Sequence, residues 1–232
     1  MLKSIVKSSV RSVYDTLTKI PNRLTITAGK MGMVEPYQPV YGEEVSSSQR
    51  LCQDRWNIMK QYLPKSDFSF MDIGSQIGYF TFQAAAEGAV SFGVERSKRA
   101  CQVANAIKEL RNMEHAAFLN MGVDSFTVKG LPKVDVLCCM SIYHHWVRES
   151  GFAEADKIFT ELTAKTNALF FDTGQSNEEN TDWTESLEFM NPDPIAWIEN
   201  YLKEKQFTKV IQLGLFGTHL SHIPRMLFYA EK

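Results

Sequence analysis

An α/β fold built on a parallel sheet is predicted for this chain of 232 residues, and three observations predict it. Short apolar runs alternate with longer helical patterns through the middle of the sequence, the arrangement of a parallel sheet covered on both sides by helices. One of these runs, Phe70-Met71-Asp72-Ile73, passes into a glycine turn, Gly74-Ser75-Gln76-Ile77-Gly78, that enters a helix at Tyr79. The last two runs, residues 208–214 and 225–230, are separated by too few residues for a helical crossover, so the final strand is expected to run antiparallel.

The elements follow in order. Residues 2–20 place Leu2, Ile5, Val6, Val10, Val13, Leu17 and Ile20 at helical spacing, with Lys3, Lys7 and Arg11 on a separate stripe. This amphipathic helix is expected to dock on the body or on a second copy, with membrane-surface contact as the lesser alternative. From Pro21 to Ser48, glycines and prolines (Gly29, Gly32, Pro36, Pro39, Gly42) predict an irregular connector. Long loops of this kind are often lids, and Tyr37 and Tyr41 would either cover a ligand or simply pack. Residues 1–48 are thus read as a helix and lid, and residues 49–232 as the principal domain.

Within that domain a helix over 49–62 is stopped by Pro64. Strands are expected at 68–73, 91–95, 116–121, 134–141 and 168–173, alternating with helices at 79–87, 97–111 and 151–164, the second capped by Ser97. Asp193 and Pro194 then stand at N-cap and N1 of a helix bearing Ile195, Trp197, Ile198, Tyr201 and Leu202.

Composition narrows the function. The four cysteines include no C-x-x-C pair and read as reduced core residues, so a cytoplasmic setting is expected, with no metal. No apolar run approaches the ~18 residues of a membrane span, and a soluble protein is expected. Residues 1–34 carry six basic groups against Asp15 alone, leaving 19 basic and 26 acidic groups elsewhere. A net acidic body argues against nucleic acid as a partner.

Glycines at such a turn let the backbone take positive φ and approach a ligand closely, while the following helix offers free N–H groups. Seventeen residues after Gly78, the strand Ser91-Phe92-Gly93-Val94-Glu95 ends in an acid suited to ribose hydroxyls. Nicotinamide dinucleotides and S-adenosylmethionine both fit this pairing, and Asp72 discriminates between them. A carboxylate there would repel a pyrophosphate but favours the ammonium and sulfonium of S-adenosylmethionine. The spacing G-x-x-x-G, with Gln76 in place of a middle glycine, also departs from the dinucleotide fingerprint.

With these residues the chain resembles the class I S-adenosylmethionine-dependent methyltransferases. Asp72, Gly74 and Gly78 match the family's first motif, and Glu95 its ribose-binding acid. Leu119–Phe126 resembles the adenine-side loop, and Val134–Trp146 the strand that ends beside the methyl group. The resemblance implies a Rossmann-like methyltransferase fold: a doubly wound, mostly parallel seven-stranded sheet with a C-terminal antiparallel strand. It also implies a cofactor site at Asp72, Gly74, Ser75, Gln76, Gly78, Tyr79, Glu95, Val123, Asp124 and Met140.

Ligands of open parallel sheets bind beyond the carboxyl ends of the strands. Tyr143, His144 and His145 follow the fourth strand, Asp172 and Thr173 end the fifth, and His219, Ser221, His222 and Arg225 follow the sixth. His144 and His145 are the candidate catalytic bases, because imidazole titrates near neutrality. The competing reading is that they pack against Trp146 and bond backbone carbonyls. Tyr143, His219, His222 and Arg225 are candidate substrate contacts, with the alternative that Arg225 pairs with Glu178, Glu179 or Asp182. Methyl transfer to a hydroxyl of a small polar or glycan-like acceptor is the leading expectation. RNA modification and a catalytically silent S-adenosylmethionine-binding module are the alternatives.

Overall fold

The computed structural model describes residues 19–31, 38–44, 50–218 and 220–232. Residues 19–31 form a helix, α1. It is followed by α2 (Arg50–Met59), β1 (Ser69–Ile73), α3 (Tyr79–Ala86), β2 (Val90–Glu95), α4 (Lys98–Arg111) and β3 (Ala116–Asn120). Then come β4 (Val134–Met140), α5 (Tyr143–Ser150), α6 (Phe152–Thr163), β5 (Thr166–Asp172), α7 (Pro194–Glu204), β6 (Lys209–Phe216) and β7 (Arg225–Glu231).

The strands form one seven-stranded sheet in the order β3-β2-β1-β4-β5-β7-β6. The first five pair in parallel, and β7 inserts antiparallel between β5 and β6. This is the mixed sheet expected from sequence, closed by the antiparallel strand. β1 and β4 lie at its centre and are buried along almost their whole length, because both faces are covered.

Local signals set several boundaries where the sequence placed them. Ser97 Oγ accepts from Ala100 N at 3.3 Å and starts α4. Asp193 Oδ1 accepts from Ala196 N at 3.0 Å and starts α7 with Pro194 in its first turn.

Two segments differ from expectation. The connector read from Pro21 is helical through residue 31. The segment after β4, given no element in the sequence reading, is helix α5, parted from α6 only by Gly151 at φ +80°. No side chain caps the start of α5 at Ile142, so the sequence carries no signal for it. The helix expected over residues 2–20 lies, but for its last residues, outside the described residues.

Three apolar clusters hold the layers together. One face of the sheet packs Met71, Leu137, Leu169 and Phe228 against Phe159, Leu202 and Tyr201 of α6 and α7. The other packs Phe70, Cys138 and Phe170 against Trp56, Met59 and Phe80 of α2 and α3. A third joins Ile26 of α1 and Val40 to Phe82, Val103 and Ile107, so α1 and residues 38–44 are seated on α3 and α4. Tyr41 spends its ring on Phe82, at a centroid distance of 5.3 Å. Tyr37 lies outside the described residues. Among the described residues, no helix is long and apolar enough to cross a membrane.

Candidate functional site

The turn between β1 and α3 is built from left-handed residues: Gly74 at φ +73°, Gln76 at φ +51° and Gly78 at φ +88°. A Cβ on Gly74 would lie 2.2 Å from Ile142 Cδ1, and one on Gly78 would lie 2.5 Å from Phe118 Cε1. Both positions therefore demand glycine twice over, through conformation and through space. The turn is sewn to β2: Gly74 N and Ser75 N donate to Val94 O at 2.8 and 3.2 Å, and Gln76 N donates to Glu95 Oε2 at 3.0 Å. Glu95 Oε1 takes Ser97 N at 2.6 Å. Each carboxylate oxygen is thus oriented by one backbone N–H and keeps further acceptor capacity.

Beside this turn lies a cavity of about 210 Å³, at the carboxyl ends of β1, β2 and β4. Five of the residues singled out in the sequence line it: Gly74, Glu95, Val123, Asp124 and His145. Asp124 is exposed, and its Oδ1 accepts from Phe126 N, Thr127 N and Thr127 Oγ1 at 2.9, 2.7 and 2.9 Å. Those bonds fix the loop after β3 and hold the Asp124 carboxyl below its usual range.

Asp72 sits just behind the turn, 3% exposed, and accepts from Thr81 Oγ1 at 3.0 Å. Burial is the largest cause of its pKa being pushed up to about 7, with the Thr81 and Cys138 hydrogen bonds opposing the rise. No cationic side chain pairs with it among the described residues. Ser75 Oγ and Gln76 Oε1, on the same turn, are buried without a hydrogen-bond partner. A buried acid without a cation and two unpartnered polar atoms thus stand on one turn, behind the cavity, whose lining includes none of the three. Tyr79 is buried at the head of α3, its backbone N–H donating to Gln38 Oε1 at 3.3 Å. Met140 packs into the α2 and α3 side of the core and does not line the cavity.

The histidine rim divides. His144 is 1% exposed, with Nδ1 accepting from Gly174 N at 2.9 Å and lying 3.2 Å from Thr173 Oγ1, and its ring is against Trp183. Contrary to expectation it faces the core, because the first turn of α5 rotates it under residues 173–174. His145, one step on, is turned to the cavity, and its buried Nδ1 has no partner. Burial, and then the nearby Arg148, hold His145 below its ordinary pKa, so its imidazole is neutral at pH 7.

The candidate substrate contacts are corrected in two cases. Tyr143 is fully buried, its hydroxyl 3.3 Å from that of Tyr201. Arg225 is buried and held by Glu178 in a paired contact, Nε–Oε1 2.6 Å and Nη2–Oε2 2.9 Å, as the competing reading had it. Its Nη1 also donates to Ser141 Oγ at 3.1 Å. His222 is exposed and away from the cavity, and His219 lies outside the described residues.

The sequence pattern that defines the family described as "Histone methylation protein DOT1" matches residues 35–129, which include the glycine turn and Glu95. The O-antigen chain terminator bifunctional methyltransferase/kinase WbdD of Escherichia coli is 27% identical over 204 residues, covering 84% of this chain and 27% of the relative. A crystal structure of WbdD superposes with a TM-score of 0.71 at 21% identity, over 89% of this chain and 46% of that one. Magnesium protoporphyrin IX methyltransferase (ChlM) from Synechocystis PCC 6803, solved with bound S-adenosylmethionine, gives a TM-score of 0.59 at 15% identity, over 84% of this chain and 89% of that one.

The family match, the likeness to WbdD and the shared fold support a class I S-adenosylmethionine-dependent methyltransferase. The chain spans about a quarter of the length of the curated relatives it matches. Several residues that line the cavity were not singled out as site residues in the sequence. Ile142 fills the space that Gly74 leaves, Trp146 and Glu149 follow about one and two helical turns on, and Arg96 Nη1 meets Glu149 Oε1 at 3.0 Å near the cavity. Arg96 directly follows Glu95 and was findable by adjacency. Ile142, Trp146 and Glu149 became visible only with α5.

A second feature lay beyond sequence reading. Ser141 is left-handed, φ +57°, and its N–H and Oγ both donate to Asp172 Oδ1, at 2.7 and 2.9 Å. Asp172 Oδ2 in turn accepts from Arg55 Nε at 3.3 Å. Two buried arginine–carboxylate pairs therefore meet on one serine and fix the turn that delivers Ile142 and His145 to the cavity.

Proposed function

We propose that this methyltransferase moves the methyl group of S-adenosylmethionine to a hydroxyl of a small polar or glycan-like acceptor, using the cavity beside the glycine turn. In this reading Glu95 receives the ribose hydroxyls, Val123 and Asp124 the adenine side, and Gly74, Ser75, Gln76 and Gly78 the amino-acid end. Asp72, behind the turn, supplies the negative charge that favours the ammonium. The single observation that carries the reading is the coincidence, on one turn, of Asp72 without a cation and Ser75 and Gln76 without partners.

When bound, S-adenosylmethionine supplies an electrophilic methyl on a positively charged sulfur. The chain's task is to align an acceptor oxygen with it, exclude water and remove the acceptor's proton. His145 suits the last of these tasks, because its imidazole is neutral at pH 7 and its Nδ1 is unoccupied. His144 then serves as a positioning residue, holding the start of α5 through Gly174 and Thr173. The glycan-like acceptor is favoured by the likeness to WbdD, whose name places its action on O-antigen chains. Incubation with labelled S-adenosylmethionine and a panel of phosphorylated and unphosphorylated oligosaccharides tests the reading. Label transferred to a sugar hydroxyl supports it, whereas label found only on RNA or protein overturns it.

A further inference from the structure

We infer that α1 carries a second, outward face that seats this protein on an anionic lipid bilayer. The inward face is accounted for: Ile26 is buried in the cluster with Phe82 and Val103, and a Cβ on Gly29 would lie 2.4 Å from Val103 Cγ2. On the opposite side Ile20, Leu24 and Met31 are 50, 65 and 84% exposed. At about 100° per residue these three share an arc of roughly 40°, on the side of the helix away from Ile26 and Gly29. A helix that is apolar on two opposed faces is built to lie between two apolar media.

Charge selects the second medium. Lys19, Arg23 and Lys30 run along one flank of the exposed stripe, within about two turns of it. Lys30 also pairs with Glu43. Across residues 1–34 the sequence holds six lysines and arginines against Asp15 as the single acid. An apolar stripe flanked by lysine and arginine is the pattern of helices that lie in the interface of an anionic bilayer. The inference is independent of methyl transfer, since α1 contributes no residue to the cavity.

Flotation of the full chain with vesicles of phosphatidylcholine alone, and of phosphatidylcholine mixed with phosphatidylglycerol, tests it. The expected result is flotation with the mixed vesicles only, weakened by added salt. Leu24→Asp with Met31→Asp, at exposed positions, should weaken it on the order of tenfold or more while leaving the melting temperature unchanged. Lys19→Glu with Arg23→Glu, which keeps the stripe, should abolish the preference for anionic lipid. Absence of flotation, or flotation indifferent to lipid charge and to both variants, overturns the inference. A dimer by light scattering that Leu24→Asp with Met31→Asp dissolves, without flotation, assigns the face to a second copy instead.

Discussion

The Gln76 backbone N–H donates to Glu95 Oε2 at 3.0 Å, tying the glycine turn after β1 to the acid that ends β2. One carboxylate thereby orders the turn and faces the cavity at once. Glu95→Gln is expected to disturb both, since an amide presents N–H where at least one backbone N–H now points. Losing a hydrogen bond to a charged group costs ~1.5–3 kcal/mol, or roughly a tenfold to hundredfold loss of S-adenosylmethionine affinity. Calorimetry on the folded variant measures it, and unchanged affinity removes Glu95 from the site.

Gly74→Ala should weaken binding by a different route. The variant must hold an L-residue at φ +73° and place Cβ 2.2 Å from Ile142 Cδ1. Left-handed backbone alone costs ~1–2 kcal/mol. Adding Ile142→Ala to Gly74→Ala should recover the steric part of the loss and leave the conformational part. A double variant no better than Gly74→Ala would show that the two side chains do not compete for that space.

Asp72 gives a pH signature. Its pKa is raised from 3.8 to about 7 in the fold, so between those values the folded state holds a proton that the unfolded chain has released. Stability attributable to Asp72 is therefore present at low pH and lost as pH rises toward 7, with a slope of at most about 1.4 kcal/mol per unit, and is flat above. Asp72→Asn should erase that slope in melting curves from pH 5 to 8. Binding a cation should pull the proton off, so S-adenosylmethionine affinity should rise with pH up to about 7 and then level. Affinity independent of pH over that range would separate Asp72 from the ligand.

The two adjacent histidines should behave oppositely. His145→Ala is expected to lower turnover by on the order of 10²–10⁴ with cofactor affinity intact. His144→Ala should instead lower the melting temperature, because Gly174 N loses its acceptor and a cavity opens against Trp183. With His145 held below its ordinary pKa, the rate should be flat from about pH 6.5 upward and fall only in more acidic solution. A full rate in His145→Ala would move the search for a base away from α5.

Most of the fold was legible because its signals are local. Ser97 and Asp193 announce their helices by capping, and the short gap before Arg225 forces the antiparallel strand. The glycine turn and the acid that ends β2 were legible for the same reason: glycines and acids at strand ends mark a turn before any packing is known. The side of the cavity formed by α5 was not. Whether His144 or His145 faces the cavity depends on the start of α5, which no capping residue marks. Arg225 reads identically as a substrate contact or as the partner of Glu178 until the loop bearing Glu178 is folded beneath β7. Ser141 gives no hint in sequence of a left-handed backbone, because its conformation is imposed by Asp172 and Arg225.

The most direct test of the central claim is the equilibrium binding of S-adenosylmethionine to the intact chain, alongside NADH as a competitor, at pH 7.5. The account predicts one saturable site per chain, lost in Gly74→Val, weakened in Glu95→Gln and indifferent to NADH. Absence of binding, or binding that Gly74→Val leaves untouched, would contradict the placement of the cofactor on the glycine turn.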